Sequence, residues 1–362
     1  MGKNGATTLK LYGFRRFDEY ECKLTSPTVI IGPNGVGKTT ILEALYYVSM
    51  SRSYRTSNDR EMIGWQTDTA RVLAQFSNGL ELNRAVSTFG GTVAKQSSTN
   101  GVPTTPLQSL GQIHVVLFAP ELIELIVGPP RTRRRYLDML LSATDRAYAQ
   151  SLLKYHHGLR QRNALLFQEP TNGSAFDIWE QLLIENGTLI ITKRKALMKL
   201  LAKHIGPAFE ELESGRTKRQ IKLAYQSTPD IEERYMELLI ASRERDRRGA
   251  GTSVGPHRDD FTIHLEDRSM SFASRGEQRS LLIALKHAEL ALYASLEHEL
   301  PPYLLLDDLF SELDQRRSKQ LTTLLTAYPT IVTTTDATLL DDRLRKSAEI
   351  LDLSSVPALA RV

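Results

Sequence analysis

Two groups of residues at opposite ends of this chain have the types and spacing for phosphate chemistry. The first, Gly32-Pro-Asn-Gly-Val-Gly-Lys38-Thr39, satisfies G-x-x-x-x-G-K-[ST]. In that pattern glycines let backbone N–H groups face phosphate oxygens, the lysine reaches the outer phosphates and the next hydroxyl ligates Mg²⁺. Gly32, Pro33, Asn34, Gly35, Val36, Gly37, Lys38, Thr39 and Thr40 are therefore candidate nucleotide-binding residues. Near the other end, Tyr303-Leu-Leu-Leu-Asp307-Asp308 sets two acids after an apolar run. Mg²⁺ is usually held by few carboxylates plus substrate phosphates, which suits Asp307 as a metal ligand. Asp308 is then the candidate base that polarises an attacking water. Two adjacent acids in this setting also fit a helix N-terminus or an exposed turn.

A third group, Ser274-Arg-Gly276-Glu-Gln278, stands immediately before a long helical pattern. The Ser274 hydroxyl, the Gly276 amide and the positive helix end can face an anion, and Ser274 as a plain N-cap accounts for the same residues. Neither end of the chain alone accounts for nucleotide hydrolysis, so the fold must bring them together.

The elements that would position these groups are legible in outline. Thr28-Val-Ile-Ile31 is a β-branched run, and Thr39 to Met50 carries apolar residues at Ile41, Leu42, Leu45 and Val48, giving strand, glycine loop, helix. Ser77-Asn78-Gly79 between strand-like runs predicts a hairpin over Val72 to Val86, and Asn100-Gly101 another turn, hence a small antiparallel sheet. His114 to Phe118 reads as a buried strand. Between Tyr136 and Ser242 helical periods dominate, about four helices with breaks at Glu169-Pro-Thr-Asn-Gly173, Gly206-Pro207 and Thr228-Pro229. Phe261 to Leu265 alternates as a strand, Glu277 to Glu299 reads as one helix, and Tyr303 to Leu306 and Ile331 to Thr335 read as buried strands.

With 362 residues, 41% hydrophobic and 24% charged, the chain is globular and large enough for two domains. A single cysteine, Cys22, excludes an internal disulfide framework and a multi-cysteine zinc site, and suits a reducing compartment. No stretch approaches the ~18 apolar residues of a membrane span, so a cytoplasmic protein is expected. Net charge is +4, but residues 131–249 carry 22 Lys plus Arg against 15 Asp plus Glu, a balance of +7. Such a segment is a nucleic-acid surface or simply a solvated face.

The motifs also carry a resemblance. Ser274-Arg-Gly-Glu-Gln, Leu304-Leu-Leu-Asp307-Asp308 and Ser311-Glu-Leu-Asp314 are similar to the signature, Walker B and D-loop of ABC-type ATPases. Within that class the chain resembles the RecF family of bacterial DNA replication and repair proteins. The resemblance rests on Leu11-Tyr-Gly-Phe14-Arg15, Gly32 to Thr39, Leu42-Glu-Ala44, Ser53-Tyr-Arg55-Thr56, Phe118-Ala-Pro120-Glu121, Arg134-Arg-Tyr-Leu137-Asp138, Gly255-Pro-His-Arg-Asp-Asp260 and the three late motifs.

The resemblance implies an α/β fold, an ABC-type P-loop ATPase head with a mixed sheet plus a small antiparallel subdomain and an inserted α-helical lobe. The expected division is a head of 1–130 and 251–362 around a helical lobe at 131–250. It implies ATP and Mg²⁺ as cofactors, with Ser274, Gly276 and Gln278 contacting ATP held by a second subunit and Asp314 at the subunit junction. Arg15 would lie near adenine or ribose. In place of a switch histidine the chain reads Thr333-Thr-Thr335-Asp336, so Thr335 becomes the expected γ-phosphate sensor and hydrolysis is expected to be slow. The implied function is an ATP-dependent homodimer that clamps duplex DNA near single-strand/double-strand junctions and acts as a mediator in gap repair and replication restart. RecR and RecO are the implied partners, and RecA loading the implied outcome.

A transporter subunit and a chromosome-maintenance head are the alternatives. The first is opposed by the missing histidine and the basic middle segment, the second by the lack of a long coiled coil. Gly255 to Asp260 reads as a turn whose charges satisfy one another or as a DNA or interlobe contact. Gln112 is a candidate for the Q-loop glutamine, an ordinary surface glutamine being the other reading.

Overall fold

Alternation of apolar and polar residues builds the first part of the chain into antiparallel strands. β1 (Ala6–Phe14) and β2 (Phe17–Lys23) form a hairpin, and β3 (Thr28–Ile31) leads through the glycine loop into α1 (Lys38–Met50). β4 (Thr69–Phe76), β5 (Glu81–Phe89), β6 (Thr92–Thr99) and β7 (Val102–Thr104) follow, then α2 (Pro106–Ser109) and β8 (Val115–Phe118). The computed structural model describes residues 6–167, 174–213, 220–227, 231–312, 317, 318, 321, 327–340 and 342–355. It divides into two compact units, Met1–Leu122 with Glu289–Val362, and Ile123–Ala288.

The second unit contains α3 (Glu124–Val127), α4 (Pro130–Thr144), α5 (Arg146–Phe167), α6 (Ser174–Glu213), β9 (Ile221–Gln226), α7 (Ile231–Arg248), β10 (Asp260–Leu265) and β11 (Arg268–Ser269). The unit boundary falls inside α8 (Arg275–Ala294). β12 (Tyr303–Asp307), β13 (Thr330–Thr334), α9 (Asp342–Ser347) and β14 (Glu349–Asp352) complete the first unit.

The first unit holds two sheets. One is antiparallel, in the order β2-β1-β4-β5-β6-β7, so the small sheet expected after the glycine loop also takes in the two strands before it. The other is parallel, β14-β3-β13-β12-β8. Leu304, Leu305 and Leu306 of β12 are fully buried, each contributing about 1.5–3 kcal/mol relative to exposure. α1 packs against strands of both sheets and buries twelve of its thirteen residues. In the parallel sheet Asp307 stands opposite Thr333, and Thr334 opposite Ile31. The loops after β3, β12 and β13 therefore leave the same sheet edge, where open α/β sheets bind ligands.

In the second unit the segment from α4 to α7 carries four helices, as the periodicity predicts, but it also contains β9. Ile221, Leu223 and Tyr225 alternate with more exposed neighbours, and the strand pairs with β10, Tyr225 opposite Phe261. Six residues of alternation are too few to stand out among long helical periods. The break expected at Gly206-Pro207 does not occur, because α6 is continuous with Pro207 inside it. Leu201, Ile205, Phe209 and Leu212 are all buried, so one apolar stripe crosses the proline and outweighs its missing N–H. The breaks expected at Glu169–Gly173 and Thr228-Pro229, like Asp314, lie outside the described residues.

Candidate functional site

The glycine loop joins the end of β3 to α1 and takes its shape from left-handed residues. Gly35 and Gly37 have φ of 80° and 107°. A Cβ at Gly37 would sit 2.6 Å from Cζ of Phe17, so this close approach needs glycine. No side chain caps the start of α1, which leaves its first N–H groups to face an anion. Lys38 is 7% exposed, and its Nζ donates to the carbonyls of Gly32 at 2.7 Å and Pro33 at 3.0 Å. Burial lowers the ammonium's pKa, while Asp308 and Asp307 oppose that shift. Arg16 donates to the Gly35 carbonyl. Val36 is buried behind the loop.

From the end of β12, which β13 separates from β3 in the parallel sheet, Asp307 meets this loop. Thr39 Oγ1 donates to Asp307 Oδ1 at 2.9 Å, Thr333 Oγ1 to the same oxygen at 2.8 Å, and the Tyr54 hydroxyl to Oδ2 at 2.9 Å. Burial, then the Asp307 charge, pushes the Tyr54 hydroxyl well above its ordinary pKa, so it stays a donor. Asp308 adopts φ of 46° and its N–H donates to Thr333 Oγ1 at 3.0 Å. An aspartate tolerates that conformation better than most residues, and strained backbone of this kind concentrates at working sites.

Arg15 approaches from the turn after β1. It makes a two-pronged pair with the fully buried Glu43 of α1, at 3.0 and 2.6 Å, and donates to the Glu61 carbonyl at 2.6 Å. Glu43 also accepts from Ser53 and from Arg55 at 3.2 Å. Arg15, Asn34, Gly35, Gly37, Lys38, Thr39, Thr40, Asp307 and Asp308 share one cleft of about 820 Å³. Gly32, Pro33 and Val36 belong to the same loop without lining the cleft. Thr335 is exposed beyond β13 and does not line it either; the threonine in contact with both acids is Thr333. Gln112 lies in the turn before β8, outside the cleft.

Ser274 is exposed at the start of α8 in the second unit and closes a capping box. Its Oγ donates to Glu277 Oε2 at 2.9 Å and accepts from the Glu277 N–H at 3.3 Å, while its own N–H donates to Oε2 at 2.9 Å. Gly276 is half-buried in the first turn. Gln278 Nε2 donates to the Met270 carbonyl at 3.2 Å.

The Gly255 to Asp260 segment is tied into the second unit by side chains. Asp260 takes a two-pronged pair from Arg133 at 2.7 and 2.8 Å, the Asp259 carbonyl accepts from Arg134 at 2.6 Å, and the Pro256 carbonyl from Arg194 at 2.8 Å. A Cβ on Gly255 would stand 2.2 Å from the Tyr235 hydroxyl. His257 sits between Tyr155, 2.7 Å from Nδ1, and the Thr252 carbonyl, 2.8 Å from Nε2. The charges of this segment are met by residues outside it, and two arginines of the basic cluster are engaged there.

Burial lowers the pKa of His257 to about 4, and that of His114 in the first unit, stacked on Tyr293 at 4.4 Å, also to about 4. Both lie below the ordinary 6.5, so the unfolded chain takes up these protons first. The stability they contribute is complete above about pH 6.5 and is lost as pH falls toward 4, at about 1.4 kcal/mol per pH unit per histidine. Thermal unfolding followed from pH 7 to pH 4.5 checks this. A melting temperature that stays level across that window contradicts it.

The residues that sequence reasoning left without a role here are Thr333, Tyr54, Glu43, Arg16 and Arg55. Thr333 was discoverable from its place beside the sensor position. Tyr54 and Arg55 lie in the Ser53-Tyr-Arg55-Thr56 motif, but nothing local says that it reaches Asp307.

A family model for an AAA domain matches residues 8–101. DNA replication and repair proteins RecF of Bacillus cytotoxicus and Bacillus thuringiensis are each 33% identical, with 96% of this chain and 96% of each relative covered. The solved structure of the recombination mediator protein RecF-ATP in the RecFOR pathway matches with a TM-score of 0.84 at 27% identity, covering 94% of both chains. An Smc head domain from Pyrococcus furiosus, with an extended coiled coil, matches with a TM-score of 0.53 at 17% identity and shares the fold. The molecule is thus an α/β protein with the ABC-type ATPase head fold, and its chain belongs to the RecF family of DNA replication and repair proteins.

Proposed function

We propose that this protein binds ATP in the cleft between the glycine loop and Asp307, and that nucleotide drives a homodimer that holds duplex DNA during gap repair and replication restart. The observation that carries the reading is the meeting of the two chain ends, with the Thr39 hydroxyl 2.9 Å from Asp307 and Lys38 beside both acids. The relative solved with ATP supports the same ligand. The donors suit Mg²⁺, since a threonine hydroxyl and a carboxylate are hard oxygen ligands. Thr39 and Asp307 would hold the ion, which neutralises phosphate charge when bound.

This chain's own groups then divide the work. Lys38 and the loop amides bind and orient the phosphates, and Asp308 accepts the proton of the attacking water. Arg15, tied to Glu43, flanks the nucleoside end. Ser274 and Gly276 serve ATP held by a second copy, with Gln278 as a further nucleotide contact. Slow hydrolysis releases the DNA. The positive balance of 131–249 favours phosphate contacts with steep salt dependence and little base preference. RecO and RecR as partners are supported by the RecFOR pathway of that relative, and a cytoplasmic setting with RecA loading as the outcome belongs to the same reading.

Sedimentation with and without ATP, adding duplex and single-stranded DNA separately, tests the scheme: ATP should convert monomer to dimer, and duplex should join the dimer. Ser274→Arg should leave monomer ATP affinity within about threefold of the parent, as a surface change usually does, yet abolish the ATP-induced dimer. A dimer persisting in that variant removes Ser274 from the trans contact.

A further inference from the structure

Tyr54 stands outside both halves of the nucleotide motif yet reaches the acid that joins them. Its hydroxyl donates to Asp307 Oδ2 at 2.9 Å, while Thr39 and Thr333 both donate to Oδ1. The two threonines thus hold one carboxylate oxygen and Tyr54 holds the other. Its ring is fixed in turn, edge-on to Tyr46 with centroids 5.3 Å apart. The backbone that carries it is pinned on either side: Ser53 donates to the buried Glu43, and the N–H groups of Arg55 and Thr56 donate to Ser53 Oγ at 3.0 and 3.2 Å. Arg55 bonds the same glutamate at 3.2 Å. A loose surface tyrosine would have none of these restraints.

We infer that Tyr54 is a positioning residue for the metal site, fixing the rotation of the Asp307 carboxylate so that one oxygen faces Thr39 and the ion they share. Without the hydroxyl the carboxylate can turn about its Cβ–Cγ bond, and the ion must order it on binding. Partners that orient a metal-binding carboxylate commonly change metal affinity about 10–100-fold when removed. The inference rests on the reading of Thr39 and Asp307 as magnesium ligands.

The test measures Mg²⁺ dependence of nucleotide binding rather than turnover. A fluorescent ATP analogue is titrated onto the full chain at fixed concentration while Mg²⁺ is varied, for the parent, Tyr54→Phe and Asp307→Asn, with parallel titrations in chelator. Phenylalanine keeps the ring against Tyr46, so folding should be preserved, and circular dichroism verifies it. Tyr54→Phe should raise the Mg²⁺ concentration at half-saturation about tenfold while leaving metal-free affinity unchanged. A purely structural role would weaken metal-free binding as well. If Asp307→Asn shifts the Mg²⁺ requirement and Tyr54→Phe does not, Tyr54 has no positioning role. If neither shifts it, the metal assignment fails and the inference fails with it.

Discussion

Lys38→Met loses ATP. The ammonium lies at the centre of the glycine loop, bonded to the Gly32 and Pro33 carbonyls at 2.7 and 3.0 Å, and is 7% exposed. Its pKa is lowered by burial, yet the two nearby aspartates hold the charged form in place. A buried cation of this kind is poised to exchange carbonyl partners for phosphate oxygens, at little cost in reorganisation. Charge-assisted hydrogen bonds contribute about 1.5–3 kcal/mol each, so two of them lost lower affinity on the order of 100-fold or more. Methionine keeps the stem's length and apolar contacts, which confines the effect to the charge. Calorimetric titration with ATP checks it, with melting temperature as the folding control. Affinity at the parent value would remove Lys38 from the phosphate site.

Arg162→Met should produce a large loss of stability in the second unit. Arg162 is fully buried and donates to Glu180 at 3.0 Å, Asp246 at 2.8 Å, Thr252 Oγ1 at 2.9 Å and the Leu239 carbonyl at 3.1 Å. Glu180 and Asp246 are themselves 0% and 1% exposed. Removing the guanidinium leaves two carboxylates sharing a dry site, for which a cost of about 3–5 kcal/mol is typical. Part of the loss is limited because Arg243 also bonds Glu180, at 3.1 Å through Nε, and Ser242 bonds Asp246 at 2.8 Å. Arg243→Met, at a more exposed side chain, should cost less. Urea unfolding followed by circular dichroism ranks the two, and equal midpoints for Arg162→Met and the parent would contradict this account.

How far the site was legible depends on whether chemistry is local in sequence. Gly32 to Thr39 could be read directly, because the strand, the glycine loop and the helix are contiguous and each leaves its own pattern. Asp307 and Asp308 could be read as a candidate pair, since four apolar residues before them already describe a buried strand. The register that sets Asp307 opposite Thr333 is a long-range property. Counting from the end of β13 therefore leads to Thr335, while the contacts belong to its neighbour two residues earlier on the same face. Tyr54 was hidden for the same reason, as it lies in the loop after α1 while its partner Asp307 ends β12. Among the elements, β9 was lost in a helical background, and Pro207 overstated a break because burial of Ile205 and Phe209 is invisible to local rules. The residues that look most like DNA contacts also needed the structure. Arg133 and Arg134 are occupied within the second unit by Asp260 and Asp259, which a charge count cannot reveal.

The thirteen residues of α1 begin with Lys38 and Thr39 and run on through a helix buried on nearly every side. Phosphate chemistry and the core of the first unit therefore share one short stretch of chain. A substitution there is read twice, once by the ligand and once by the fold, and a genetic screen that scores only survival cannot separate the two readings. Loss-of-function alleles in this helix acquire mechanistic meaning only beside a measurement of how much folded protein each one leaves.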